Sequence, residues 1–357
     1  MKKLMKLTAI ALASALALTA GTASADKLKV GFIYLGPPGD HGWTYAHDQG
    51  RLMLEKELGD QVQTTYVENV PEGPDSERAI AKLAETGHEL IFTTSFGYME
   101  PTLKVAKRFP NVKFEHATGY KDSDNVSTYV ARFYEGRYVQ GVIAGKVSKT
   151  NTIGYIASFP IPEVVRGINA FLLGAHSVNP DIKVKVVWVY TWFDPPKEAD
   201  AAKVLMDQGA DIITQHTDST AALQAAAERG LYAFGQASDM IPFGPKTQLT
   251  ANVNNWGPYY IARAKAVLDG TWSTANTWDG MAEGMVVMAP FTNMPADVAA
   301  LATKTAESIR SGDLHPFTGP IRNQAGDVVV PAGAVADDGM LAGMKFYVEG
   351  VDDKLPE

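Results

Sequence analysis

The chain contains no cysteine. It therefore has no disulfide bond, no thiolate ligand for a metal ion and no cysteine nucleophile. It also lacks the residue that a lipid-anchored export signal requires, so we do not expect a lipoprotein. A chain without disulfide bonds depends on a large core, which 46% hydrophobic and only 20% charged residues can supply. This composition suits an exported bacterial protein of two domains.

The motifs of common catalytic classes are also missing. No HExxH, GxSxG or dinucleotide fingerprint follows a predicted strand, and GVIAGK at 141–146 has the wrong glycine spacing for a phosphate-binding loop. The histidines are scattered, and only His41 and His216 fall at positions predicted below to face a cleft. With Asp218 they form a conceivable metal site, but ordinary cleft polarity is the interpretation that we favour. We expect no enzyme, no cofactor and no bound metal.

The chain has fewer positively than negatively charged residues, and its one long apolar run lies near the start of the sequence. The formal net charge is −8, which disfavours nucleic acid and anionic lipid as partners. Lys2, Lys3 and Lys6 precede the apolar run Leu7–Ala20, and Ala23-Ser24-Ala25 follows it. The run is shorter than the roughly 20 residues that span a bilayer. Residues 1–25 are therefore predicted to be a cleaved signal peptide that directs the chain to the periplasm.

What the chain does contain is a faint internal repeat. Residues 29–35 resemble 152–158, and 62–87 resemble 184–209. Further along, 87–95 resemble 209–217 and 112–118 resemble 232–238, so the offset stays between 120 and 123 residues. Four matches in order indicate a duplicated unit rather than chance. Two similar lobes would leave a cleft between them, where function should be sought.

Each copy alternates short buried strands with helices, which predicts an α/β fold with a parallel sheet in each lobe. In the first copy, strands 29–35 and 90–94 flank an amphipathic helix, Ser76–Ala84. The second copy has predicted strands at 152–157, 184–190, 211–215 and 232–236, with helices near 163–177, 198–208 and 219–229.

The predicted last strands of the two copies, 126–133 and 249–256, would carry the chain between the lobes as hinge strands, each followed by a small-residue helix (135–147 and 257–269). We expect an N-terminal lobe of 26–148 with 255–290 and a C-terminal lobe of 149–254 with 291–357. The last part should contain a strand at 285–289, a helix at 295–310 and a hairpin within 317–334.

Ligands of open parallel sheets sit beyond the carboxyl ends of the strands, so the residues there are the binding candidates. Their mixture of aromatic rings with short carboxylates and amides suits a flat heterocycle. For each ring, packing at a strand end is the alternative; Asp40 and Asp218 could instead cap helices, and Asn254 could hold the hinge. The ligand-binding candidates are Asp40, Trp43, Thr44, Phe96, Gly97, Phe159, Trp192, Phe193, Asp218, Asp239 and Asn254.

Several of these segments resemble a known family. They are Gly39-Asp40-His41-Gly42-Trp43-Thr44, Val165-Arg166-Gly167, Gly209-Ala210-Asp211-Ile212-Ile213 and Ala237-Ser238-Asp239. In order and spacing, over roughly 28–350, the chain resembles the basic membrane protein family of ABC-transporter substrate-binding proteins. The resemblance implies a type I periplasmic binding protein that binds purine nucleosides or nucleobases and delivers them to a membrane permease. We expect a monomer.

The resemblance also implies roles for individual residues. Trp43 occupies the place of a family phenylalanine that packs on the purine, and Thr44 that of an asparagine. Phe96 and Gly97 match a Gly-Phe loop, while Trp192 and Phe193 match a pair whose ring lies on the other purine face. Asp239 matches an acid that resembles a ribose-hydroxyl ligand. The family often has a lysine near the second crossing, where this chain has Asn254 and Asn255, and this difference favours a bare nucleobase.

The leading hypothesis is thus a receptor that closes around a purine-like solute by a hinge motion. A sugar or another small polar solute remains an alternative ligand, because aromatic stacking also serves pyranose faces. A secreted nucleoside hydrolase that uses Asp40, His41 and Asp218 in acid–base roles is the alternative from another class.

Overall fold

The computed structural model describes residues 26–39 and 41–356. The predicted signal peptide at 1–25 and Asp40 lie outside the described residues. Within the described part, no helix combines the length and the apolarity needed to span a membrane.

Fourteen strands and ten α-helices follow one another along this part of the chain. The strands are β1 (Leu28–Ile33), β2 (Val62–Val67), β3 (Leu90–Thr94), β4 (Lys113–Ala117), β5 (Val126–Ala131), β6 (Thr152–Ala157), β7 (Lys183–Trp188), β8 (Ile212–His216), β9 (Tyr232–Ala237), β10 (Gln248–Asn254), β11 (Asn276–Asp279), β12 (Val286–Met288), β13 (Ile321–Arg322) and β14 (Val328–Val330). The helices are α1 (Gly42–Leu58), α2 (Pro74–Glu85), α3 (Met99–Arg108), α4 (Phe133–Val147), α5 (Pro162–His176), α6 (Pro195–Asp207), α7 (Ala221–Glu228), α8 (Gly257–Leu268), α9 (Ala296–Ser311) and α10 (Asp338–Ala342).

Two six-stranded sheets form the centres of two lobes. Their orders are β2-β1-β3-β4-β5-β11 and β7-β6-β8-β9-β10-β12, so each strand of the first copy has its counterpart at the same place in the second. All neighbours run parallel except β12, which pairs antiparallel with β10. The predicted repeat and the predicted α/β fold with two similar lobes are confirmed.

The boundaries predicted at residues 148 and 290 need correction. Helix α4 packs against α5 of the second lobe, and the two backbones approach so closely that a Cβ at Gly141 or Gly174 would overlap a carbonyl oxygen of the other helix. The first crossing therefore lies at Arg132. Strand β12 already pairs with β10 in the second sheet, which places the third crossing between β11 and β12.

The sequence pattern gave no bounds for helix α1, which carries part of the cleft. Its buried face includes polar residues and glycine in place of a regular apolar stripe: His47 hydrogen-bonds the hydroxyl of Tyr260 in α8, and Asp48 accepts a hydrogen bond from Tyr34. Gly50 lets the ring of Tyr260 approach the helix backbone. Because these partners lie far away in the sequence, no local period marks the helix.

The predicted hairpin is present as β13 and β14, with Gly326 at a φ of 87° in its turn. The tail then runs along α5. There the side-chain amide of Asn169 donates a hydrogen bond to the backbone oxygen of Phe346 and accepts one from the backbone N–H of Val348. These bonds tie the last residues to the second lobe. Arg132 at the first crossing reaches the tail through two hydrogen bonds to Asp338, of 2.7 and 2.8 Å.

Candidate ligand-binding site

One cavity lies between the lobes, at the carboxyl ends of both sheets, where ligands of parallel sheets bind. It contains about 310 Å³ of space free of protein atoms, part of which is open to solvent. Four lining residues come from the first lobe and five from the second. They are Trp43, Ser95, Phe96 and Thr118, and Glu163, Trp192, His216, Asp218 and Gln236.

Aromatic rings from both lobes form the walls. Trp43 lies in the first turn of α1, and its indole N–H donates a 2.7 Å hydrogen bond to the backbone oxygen of Thr94. Its ring also contacts the edges of Phe133 and Trp256, so its position is fixed by the core. Trp192, in the loop after β7, is only half-buried and packs on Phe159 with a centroid separation of 5.1 Å. Core packing therefore fixes the position of Trp43, whereas Trp192 lies on a loop.

Asp218 is the polar residue with the least protein support. Its backbone N–H donates to the oxygen of Trp192 at 2.9 Å, but within the described residues its carboxylate has no hydrogen-bond partner. The residue is 8% exposed. Burial, and then the nearby charges of Glu198, Glu72 and Glu163, raise the pKa of Asp218 well above its usual range. This buried carboxyl group can accept hydrogen bonds from the N–H groups of a ligand.

Glu163 and His216 form a second polar group on the same side. Glu163 lies in the first turn of α5, and its Oε1 is 3.3 Å from Nε2 of His216 at the end of β8. Burial lowers the pKa of His216, although Glu163 acts in the opposite direction. At neutral pH the imidazole is therefore uncharged, with its Nε2 proton directed at the glutamate.

The first lobe contributes hydroxyl groups. Ser95 Oγ donates to Glu72 at 2.6 Å, and the N–H of Gly97 donates to the same carboxylate at 2.8 Å. Glu72 thus fixes the loop that carries Phe96, while Ser95 keeps its lone pairs for the cavity. Thr118 lines the cavity directly after β4.

The structure brings four of the predicted residues together at the cavity: Trp43, Phe96, Trp192 and Asp218. Three others support the lining residues. Phe159 packs on Trp192, Gly97 binds Glu72, and Thr44 Oγ1 accepts the N–H of Gly36 at 3.2 Å. The ring of Phe193 packs near Gly36 without lining the cavity.

Two predicted residues, Asp239 and Asn254, lie outside the cavity lining. Oδ1 of Asp239 accepts hydrogen bonds from the backbone N–H of Ile241 and from Nε2 of Gln248, so it closes a turn. Asn254 is buried at the end of β10, where its amide atoms have no hydrogen-bond partner among the described residues. Neither lines the cavity. His41, the other histidine expected at the cleft, packs on Tyr45 and Phe243 instead.

Five lining residues were not among the predicted ligand-binding residues. Ser95, Thr118 and His216 carried the same strand-end signal as the chosen ones. Glu163 follows Pro162 at a helix start, where acidic residues are common for a structural reason. Gln236 lies inside β9 and could have been found only as a polar residue within a buried strand.

A second, open depression lies on the outer surface of the first lobe, along α2 and α3. Its lining is mostly charged, and salt bridges such as Arg108–Glu85 at 3.6 Å satisfy part of it. It has no aromatic wall, and we interpret it as a solvated helix surface.

Two lobes of the same topology around a cavity of aromatic and polar side chains define a two-lobed protein that binds a small molecule between its lobes. Residues 27–310 match the model of the Bmp family, described as ABC transporter substrate-binding protein PnrA-like. The chain belongs to this family.

Several known proteins are similar to this chain over most of its length. A purine-binding protein of Brucella abortus is 69% identical over 93% of this chain and 95% of its own length. A putative ABC transporter glucose-binding protein of Haloferax volcanii is 36% identical, covering 94% of this chain and 83% of the relative. An ABC transporter solute-binding protein of Aeropyrum pernix K1 has a similar fold, with a TM-score of 0.69 and 20% identity, over 88% of this chain and 95% of the other.

Proposed function

We propose that this substrate-binding protein is a periplasmic, non-catalytic receptor for a purine-like base, which it delivers to its membrane permease as a monomer after removal of residues 1–25. The observation that carries the proposal is the placement of Trp43 and Trp192, from opposite lobes, around one cavity. The cavity also contains the carboxyl group of Asp218, which has no hydrogen-bond partner among the described residues. The name of the Brucella relative supports the same ligand class.

A purine fits the chemistry of this lining. Its two flat faces can pack against indole and phenyl rings, and its edges alternate N–H donors with nitrogen or carbonyl acceptors. Asp218 and Glu163 would accept from the donors, while Thr118 and the amide of Gln236 would serve the acceptors. Because the walls belong to different lobes, a bound base contacts both, and its binding energy favours the closed form over the open one.

Isothermal titration with adenine, guanine, hypoxanthine, xanthine and their nucleosides tests the assignment. We expect one site per chain, affinity in the micromolar range or tighter for at least one base, and quenching of tryptophan fluorescence upon binding. Glucose serves as the comparison ligand, because one relative is named for it. Binding of glucose without binding of any purine would transfer the assignment to sugars.

A separate assay addresses catalysis. The alternative of a nucleoside hydrolase requires Asp40, His41 and Asp218 to act together, but His41 is not among the described residues that line the cavity. We expect purified protein to leave inosine and adenosine intact during prolonged incubation. Release of free base at a rate proportional to protein concentration would show that the protein is an enzyme as well as, or instead of, a receptor.

A further inference from the structure

Behind the cavity lies a buried guanidinium group without an acidic partner. Arg137 in α4 is 1% exposed and makes no ion pair with any described residue. Its N–H groups donate instead to neutral oxygens: Oε1 of Gln140 at 3.0 Å, the backbone oxygen of Gln215 at 2.7 Å, and Oε1 of Gln236. Burial lowers the pKa of Arg137, although the charge of Glu163 acts in the opposite direction. A buried cation without a direct ion pair is costly to the fold, which calls for a reason to retain it.

Arg137 determines which way the amide of Gln236 points. A guanidinium group has donors and no acceptor, so the atom of Gln236 that faces it must be the carbonyl oxygen. The opposite rotamer would set the amide N–H groups of Gln236 against the N–H groups of Arg137. The orientation of the amide therefore follows from chemistry, independent of how oxygen and nitrogen are assigned.

The amide nitrogen of Gln236 is left for the cavity. The residue is 3% exposed and lines the cavity, and within the described residues its Nε2 has no hydrogen-bond partner. Nε2 is also not fully enclosed by protein, so the small exposed area of the residue includes this atom. The amide nitrogen can thus donate to a ligand in the cavity.

We propose that Arg137 is a positioning residue that fixes Gln236 as a pure hydrogen-bond donor, so that the site selects ligands with an acceptor atom at this place. The acceptor is a ring nitrogen or a carbonyl oxygen of the base. This inference rests on the proposed function and specifies one edge of the ligand. Asp218 in the same lining has the complementary role, because its carboxylate can accept.

Such a donor selects mainly by lowering the affinity for ligands that lack the acceptor. When the lobes close on a ligand that lacks the acceptor, the amide nitrogen of Gln236 loses water and gains no partner. Without Arg137 the amide could rotate and offer its oxygen, and the penalty would vanish. Arg137 contributes to selectivity without touching the ligand.

The test compares bases with their 1-deaza, 3-deaza and 7-deaza analogues, each of which replaces one ring nitrogen by C–H. For the base that binds most tightly, we expect one analogue to bind at least about tenfold more weakly to the unaltered protein. Gln236→Met, which keeps the length of the side chain and removes the donors, should bind the parent base about tenfold more weakly and lose this discrimination. Arg137→Met should reduce the discrimination between base and analogue more than it reduces overall affinity.

Gln140→Glu is the matched control for charge. Gln140 accepts a hydrogen bond from the same guanidinium group but does not line the cavity. Gln140→Glu should keep the discrimination, whereas Gln236→Glu, which also faces Arg137 but presents no donor, should lose it. Thermal unfolding confirms that each variant is folded, and a misfolded Arg137→Met leaves the two Gln236 variants to decide.

Four results overturn the inference. They are full discrimination in Gln236→Met, full discrimination in a folded Arg137→Met, equal losses in Gln140→Glu and Gln236→Glu, and unaltered protein that binds every deaza analogue as well as the base. These outcomes leave the purine assignment intact. If the unaltered protein binds no base at all, the proposed function fails, and the inference fails with it.

Discussion

Replacement of Trp192 by alanine isolates the contribution of the loop-borne wall. The indole ring is half-buried, packs on Phe159 at the margin of the core and has no hydrogen bond to a described side chain, so its loss should disturb the core little. The contact with Asp218 runs through the backbone oxygen of Trp192 and survives the substitution. We therefore expect an effect on binding rather than on stability.

The magnitude follows from the area of one ring face. A buried aromatic side chain covers about 150–250 Å², and a ligand packed on one face of Trp192 would remove about half of that from water. At about 25 cal/mol per Å², the contact is worth about 2.5 kcal/mol, which is about 70-fold in Kd. Trp192→Phe should lose less, because a smaller ring still covers the ligand.

Isothermal titration of the best purine against the unaltered protein, Trp192→Ala and Trp192→Phe measures this loss. Trp272→Phe is the control, because Trp272 lies against Arg263 and Glu115 of the first lobe and does not line the cavity. A Kd for Trp192→Ala within about threefold of the unaltered value would refute the stacking argument. A comparable loss in Trp272→Phe would show that the effect is not local.

Three further changes test the electrostatics and the packing around the cleft. Asp218→Asn should weaken purine binding at least about tenfold, yet raise the melting temperature of the ligand-free protein at pH 8, because burial opposes ionisation of the Asp218 carboxyl group in the folded state and an amide does not ionise. Burial raises the pKa of Glu135 at the first crossing from 4.5 to about 7. The folded state then holds a proton that the unfolded chain releases, so stability should fall by at most about 3 kcal/mol as the pH rises through that interval, and Glu135→Gln should flatten the profile. Gly174→Ala should lower the free energy of unfolding by more than about 2 kcal/mol, because the added methyl group overlaps the backbone oxygen of Tyr138.

Urea and thermal unfolding between pH 4 and pH 8 provide the readout for these changes. An unchanged pH profile in Glu135→Gln would contradict its assignment as a protonated group at the hinge. Gly39→Ala, at a glycine with no described atom within 4 Å of an added Cβ, is the control for Gly174→Ala. Equal destabilisation of the two variants would remove the packing argument.

The sequence predicted the architecture well, because buried parallel strands are written as uninterrupted apolar runs. Val30–Ile33 and Ile153–Ala157 show this pattern, and their repetition at a constant offset indicated two matching sheets. Helix α1 carried no such signal, since its buried positions include His47 and Asp48. Their partners, Tyr260 and Tyr34, could not be paired with them from the sequence.

The candidate site was predicted only in part, for a related reason. The rule that ligands lie at strand ends locates an edge of the sheet but not the direction of each side chain. It selected Trp43 and Asp218 correctly as cavity residues, and it equally selected Asp239, which turns back to its own loop. Gln236 accepts a hydrogen bond from Arg137, 99 residues earlier in the chain, and a contact at this separation could not be predicted from the sequence.

A crystal structure of the protein with its tightest-binding purine tests the central claim most directly. The account predicts one base per chain, with its ring between Trp43 and Trp192 and its edge within hydrogen-bond distance of the Asp218 carboxyl group and the Gln236 amide. A base bound outside the interlobe cavity, or a closed complex in which neither tryptophan touches the ring, would contradict it.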